Sequence, residues 1–283
     1  MLGCAITLFY RLAQQEDDTL KPKLKSAYFC RDPFCPVCLA GVARAKHRKV
    51  SRALPQLIKD NPEVRFVNLT LTVRNPKIYE LRKTIKRMQK AFVKMMADNR
   101  VNHLGYIRSL EVTYGNSAKD DCHPHLHVLI AVPPDYFDTK KNLYLSQRGW
   151  SRIWSEKLGT DYSANVSISA VKPRSKNFLK FELSEIVKYC TKATDLLEDK
   201  EWTVHYISEI LGIKRMSTSG LFRKYMKELE DDPEDLVGKD GKNESSETVL
   251  QFRWCWEARD YILQKVIERD TTEEEFSTTK TPQ

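Results

Sequence analysis

The run His123-Pro124-His125-Leu126-His127-Val128-Leu129-Ile130 constrains this chain more than any other stretch. Three of its six histidines fall at alternate positions and lead into an unbroken apolar series. In an extended strand, successive side chains leave opposite faces of the sheet. His125 and His127 therefore share one face, while Leu126 and Val128 enter a core on the other. Adjacent histidines also occur on solvated strands. The apolar continuation argues instead for a strand inside a sheet, where two neighbouring imidazoles are half of a metal site.

Such a pair needs a third ligand. Residues 105–114 predict a second strand, joined to the histidine strand by a polar loop, so the two form an antiparallel pair. Glu111 on that strand can face the imidazoles across the ladder. His123 is the alternative: it is in phase with the pair, but Pro124 turns the chain beside it. Two histidines and a carboxylate leave positions open for a phosphate oxygen and water, which suits Mg²⁺ or Mn²⁺ acting as a Lewis acid.

A helix is predicted over residues 181–197. Leu183, Ile186, Val187, Cys190 and Leu197 share one face, and Glu185, Tyr189 and Lys192 share another at spacings of four and three. A tyrosine can attack a phosphodiester. Its pKa lies near ~10, so a nearby metal ion or the Lys192 ammonium must stabilise the phenolate. Glu185, one turn earlier, is placed to act as a general base. Carboxylates and ammonium groups are also common on solvated helix faces, and the chain has 12 tyrosines.

Cys30, Cys35 and Cys38 lie within nine residues, with Pro33 and Pro36 between them. That spacing reads as metal binding rather than disulfides. A structural zinc takes four ligands. The fourth is Cys4 or His47. Residues 4–12 and 24–30 predict two strands; if they pair, Cys4 and Cys30 meet at one end, which favours Cys4. A basic helix follows, roughly residues 39–58, with Arg44, Lys46, Arg48, Lys49 and Arg52 placed for DNA phosphates. Pro55 is expected to end or kink it.

Other elements follow from periodicity. Residues 66–73 alternate as a strand. Asn75 and Pro76 predict the start of a helix whose stripe is Ile78, Leu81, Ile85, Met88 and Phe92. A helix with Trp150 and Trp154, a strand near 164–171 and a helix pair at about 202–230 come next. Residues 249–261 are apolar and aromatic and are expected to rejoin the core. The order predicts an α+β fold with a largely antiparallel sheet. Only ten glycines and no glycine-rich phosphate loop argue against a doubly wound nucleotide-binding fold.

The net charge of +9 is uneven. Residues 228–247 hold nine acidic and two basic residues, which leaves +16 on the rest and favours a polyanionic partner. No apolar run approaches the ~20 residues that span a bilayer, and Leu2-Gly3-Cys4 lacks the preceding regions of a signal peptide. A cytoplasmic protein without membrane contact is expected. The expected organisation is a zinc-binding hairpin, knuckle and basic helix at 1–58 and a catalytic domain at 59–200. An extension at 201–268 carries a mobile acidic loop at 228–247, and 269–283 form a disordered tail.

Taken in order, residues 66–73, His123-Pro-His-Leu-His-Val-Leu129 and Glu185-Ile-Val-Lys-Tyr-Cys-Thr-Lys192 resemble the three motifs of the HUH endonucleases. Among these the chain looks like the single-tyrosine replication initiators of rolling-circle plasmids. The likeness covers about residues 60–200. The cysteine pattern is similar to the zinc-binding segment of one branch, where an upstream cysteine precedes the clustered three, and this supports Cys4.

The resemblance implies the HUH fold: an antiparallel sheet with helices packed on it. It implies nicking of single-stranded or hairpin origin DNA by Tyr189, with a 5′-phosphotyrosine link and a free 3′-hydroxyl that host polymerase extends with the host helicase. Glu185 would activate water for the terminating cleavage. The alternatives are a non-catalytic zinc-containing DNA-binding regulator of replication and a related HUH transposase.

Overall fold

The computed structural model describes residues 4–14, 19–30, 35–115, 120–171, 199–227 and 247–269. Among these the chain is α+β, with two antiparallel sheets and five α-helices. The chain divides into a smaller unit, Met1–Gly41 with Asp232–Gln283, and a larger one, Val42–Asp231.

The smaller unit is a four-stranded sheet. Strands β1 (Thr7–Gln14) and β2 (Leu20–Ala27) pair as the sequence predicts. The late aromatic segment rejoins them rather than the larger sheet. It forms a hairpin, β8 (Glu247–Cys255) and β9 (Asp260–Arg269), and β8 pairs with β1 to give the order β2-β1-β8-β9. Aromatic pairs hold this sheet: Tyr10 meets Phe252 at 5.6 Å and Trp254 meets Tyr261 at 5.0 Å, both edge-on. The Tyr261 hydroxyl donates to the Ala5 carbonyl at 2.7 Å and so ties the residue after Cys4 to the late hairpin.

The larger unit is built on a five-stranded sheet of order β6-β3-β5-β4-β7. Its strands are β3 (Arg65–Thr72), β4 (Gly105–Tyr114), β5 (Cys122–Val132), β6 (Val166–Val171) and β7 (Met216–Ser219), and every pair is antiparallel. β5, the histidine strand, lies at the centre. Its burial alternates over residues 122–127 and becomes continuous from Val128 to Val132. One half of β5 is thus closed on both faces and the other half opens on one.

Helix α1 (Pro36–Asp60) does not end at Pro55 but continues past it to Asp60. Val50, Ala53, Leu54 and Leu57 of α1 share a buried cluster with Phe66, Ile107, Leu129 and Ala131 of the sheet and with Phe222 and Tyr225 of α5 (Gly220–Lys227). Ile107 and Leu129 have the same strand parity as Glu111, His125 and His127. This cluster therefore closes one end of the histidine face.

The opposite face carries α2 (Leu81–Met96), with four residues of the predicted stripe buried on it and the fifth, Ile78, buried just before it. Phe92 meets Tyr106 edge-on at 4.9 Å, and the Arg108 guanidinium lies over its ring. Tyr106 and Arg108 have the other parity. Helices α3 (Gln147–Leu158) and α4 (Lys200–Ile210) pack beside α2. The Trp154 indole donates to the Thr72 carbonyl at 2.8 Å, and the Ser146 hydroxyl caps α3.

Two local expectations change. The predicted helix pair near 202–230 is interrupted by β7, a short Ser/Thr-rich strand whose extended state comes from pairing with β4. A backbone bridge between Gly105 and Gly220 holds that edge. A Cβ on Gly220, at φ +52°, would fall into the Leu104 carbonyl, so the approach requires glycine. Asn75 does not cap the second helix either. The chain bridges at Lys77 and Asp121 and passes through a 3₁₀ turn, Ile78–Glu80, before α2 begins. The Asn75 side chain is used at the histidine strand instead.

Candidate functional site

Glu111 and His125 are direct cross-strand partners, and Ser109 faces His127. One carboxylate oxygen, Glu111 Oε2, lies 2.9 Å from His125 Nε2 and 2.8 Å from His127 Nε2. Both imidazoles thus converge on one carboxylate oxygen. For an ion bound at ~2.1 Å, adjacent octahedral ligands stand about 3.0 Å apart. The three donors have the spacing of one corner of such a shell, and as a group they can hold a metal ion.

The outer ring nitrogens have partners of their own. His125 Nδ1 lies 3.2 Å from the His123 carbonyl, which can only accept, so Nδ1 is placed to donate there while Nε2 points to Glu111. His127 Nδ1 has Thr70 Oγ1 at 3.5 Å, from the cross-strand position on β3. Thr70 is a residue that the sequence alone did not single out; its signal was its phase in the alternating run.

His123 stands outside the convergence. Its Nδ1 donates to Asn75 Oδ1 at 2.7 Å, and its ring centre is 5.2 Å from that of His125. Of the two candidates for third ligand, the geometry brings Glu111 to the pair and turns His123 toward Asn75.

Burial acts on the Glu111 carboxyl and by itself would raise its pKa. The hydrogen bonds from His125 and His127 outweigh that and hold it well below the usual carboxylate range. Burial, with the charge of His125 beside it, depresses His123. The site therefore presents an ionised carboxylate at neutral pH. Its two imidazole side chains keep 12% and 15% exposure, an opening on the sheet face. Glu111→Ala is expected to weaken Mn²⁺ binding at least ~100-fold, the upper end of what even a supporting partner contributes. Titration calorimetry reads this, and unchanged affinity would move the ion elsewhere.

Cys4, Cys30, Cys35 and Cys38 form a second group, with sulfurs within 4.8 Å of one another. Cys4 Sγ is 3.6 Å and Cys30 Sγ 3.7 Å from Cys38 Sγ. Four thiolates around one zinc at ~2.3 Å are about 3.8 Å apart along each edge of the tetrahedron. The set fits a tetrahedral ion. Cys4 precedes β1 and Cys30 follows β2, so hairpin pairing brings them together, and Ala5 N–H donates to the Tyr28 carbonyl at 2.8 Å beside them. Burial raises the pKa of the Cys4 thiol. His47 is not in the group; its exposed ring shares a hydrogen bond with Ser51 at 3.3 Å.

Of the predicted DNA contacts, Lys46, Arg48, Lys49 and Arg52 lie on α1, with Arg52 exposed and the other three half-buried. Arg44 lies on the same helix. Glu185, Tyr189 and Lys192 fall outside the described residues. Among the described residues, no helix is long and apolar enough to cross a membrane.

Comparison with known proteins agrees in its family assignment. Residues 21–262 match the Rep_1 family model, described as a replication protein. The chain is 34% identical over 230 residues to "Protein rep" of Streptococcus pneumoniae serotype 2 strain D39, which covers 80% of this chain and 70% of that one. It is 32% identical over 232 residues to a "Replication protein" of Staphylococcus aureus, covering 76% and 97%. Another Staphylococcus aureus "Protein rep" is 38% identical over 187 residues, covering 65% and 79%. No solved structure matches. The chain belongs to the Rep_1 family of replication proteins.

Proposed function

We propose that the chain is a rolling-circle plasmid replication initiator of the HUH type, which nicks single-stranded origin DNA through a tyrosine. The observation that carries this reading is the convergence of His125 and His127 on Glu111 at 2.8–2.9 Å. In a family of replication proteins, that donor set on an open sheet face suits phosphodiester chemistry.

Glu111, His125 and His127 would hold a divalent ion, Mg²⁺ or Mn²⁺, which when bound would polarise the scissile phosphate as a Lewis acid. Tyr189 is the nucleophile in this reading. Its phenol gives up a proton, its oxygen bonds to phosphorus, and the bond from phosphorus to the 3′ oxygen breaks. That oxygen takes up a proton and leaves as the 3′-hydroxyl primer, while the 5′ phosphate stays on the tyrosine. Lys192 stabilises the phenolate or holds the phosphate. Cys4, Cys30, Cys35 and Cys38 would hold a structural zinc, which would tie the ends of β1 and β2 to the start of α1, and the basic residues of α1 contact DNA phosphates.

The test incubates the intact protein with an origin single strand and Mn²⁺ and seeks a covalent protein–DNA adduct on a denaturing gel. An adduct is expected; origin binding without one would make the chain a non-catalytic binder. Glu185 is assigned to the second cleavage, where it takes a proton from water. Glu185→Ala is expected to leave the first nick within a few-fold of the parent and to lower release of the terminated product ~10²-fold, the low end for general base catalysis. Quantifying both products from one time course checks it, and equal loss of both steps would give Glu185 a different role.

A further inference from the structure

The sheet face opposite the metal centre carries a second feature. An open groove of about 770 Å³ lies along α2, between it and residues of α3 and α4. Lys83, Lys86, Arg87, Lys90 and Lys94 line it, and all five are exposed. Their spacings of three and four residues form one stripe along the helix. Among the described residues, none of the five is paired with a carboxylate. The groove's other cations are already engaged. Lys157 pairs with Asp98 and Glu156, and the Arg82 guanidinium donates to the Ser208 and Leu211 carbonyls.

This row is unfavourable for the helix that carries it. The 16 residues of α2 contain six Lys and Arg and no Asp or Glu. Like charges at spacings of three and four repel, whereas a solvated helix gains from alternating signs. Neither burial nor ion pairing accounts for the stripe, because its apolar face does the packing and its cations point to water. An anion that repeats along a line offsets the repulsion at every step, and a phosphodiester backbone is such an anion. Tyr79, 62% exposed at the end of the groove, adds a surface on which a base can stack.

We infer that the α2 groove is a second DNA-binding site that takes a phosphodiester backbone on the side of the sheet away from the metal centre. It holds DNA beyond the scissile segment, and it is separate from the basic face of α1, which packs on the opposite side of the sheet.

The experiment uses the full chain and two probes of random sequence, a fluorescent 30-base-pair duplex and a fluorescent 30-nucleotide single strand. Affinity is measured by anisotropy across a series of KCl concentrations. The variant is K86Q/K90Q, and K140Q/K141Q, exposed elsewhere on the same unit, controls for net charge. If two phosphate contacts are lost, the slope of log K against log salt falls by about 1.8 for duplex or about 1.4 for single strand. A fall confined to one probe supports the site and identifies the form of DNA it takes. Unchanged slopes for both probes, or an equal fall in the control, would overturn it. Adduct formation at the metal centre is a separate readout, so this result and the nicking result can fail independently.

Discussion

Tyr189→Phe is expected to abolish the covalent protein–DNA adduct while origin affinity stays within about twofold. The change deletes one oxygen and keeps the ring. Packing and stacking are retained, and the only chemistry lost is the nucleophile. No partial activity is expected, because phenylalanine has no atom that can bond to phosphorus.

The structure gives this experiment its discriminating power. Several other tyrosines are committed to packing or hydrogen bonds. Tyr114 stacks on Trp202 and donates to Asp199 at 3.1 Å. Tyr225 donates to Asp60 at 2.9 Å, and Tyr162 accepts from the Arg74 backbone at 2.9 Å. Tyr136 and Tyr206 are buried. An adduct that survives the substitution would move the nucleophile to another residue, which peptide mapping of the adduct would identify.

Cys38→Ser is expected to have the largest effect on stability. Cys38 is buried, and its sulfur is within 3.7 Å of two others. A structural zinc contributes on the order of 10 kcal/mol to folding the segment that holds it. The small sheet has few other resources. Tyr10, Phe252 and Trp254 are only half-buried, and Ile262, Leu263 and Val266 are 44–53% exposed.

Loss of one ligand should therefore take bound zinc from one per chain to none and melt the small sheet, while the larger unit, with its own core, stays folded. Metal analysis and a thermal melt followed by circular dichroism check this. The parent should lose its small unit only at higher temperature, and the variant should show an early separate transition. One zinc retained per chain with an unchanged melt would remove Cys38 from the cluster.

The legible parts of the site share a cause. His125, His127 and Glu111 lie on strands whose period of two is written in the local sequence, so their common face follows from alternation once the strands pair. The four cysteines could be grouped because hairpin pairing places Cys4 beside Cys30. Asn75 was less legible. Its type and position suited a helix cap, but the bridge at Lys77 delays the helix and leaves the side chain to His123. The cationic stripe of α2 was present in the sequence too, as five residues at helical spacing. Helical periodicity drew out only the apolar stripe of that helix.

The sequence by itself determined most of the described strands and helices, the shared face of the two histidines and the four candidate cysteines, because these depend on short-range periodicity and spacing. Only the tertiary structure decided the rest. It chose Glu111 over His123, through the register of β4 against β5. It joined the last hairpin to the first, through pairing between residues more than 230 positions apart. It set the α2 groove and the metal centre on opposite faces of one sheet. Those outcomes rest on long-range register and on which face a helix covers, and neither is encoded in any one segment.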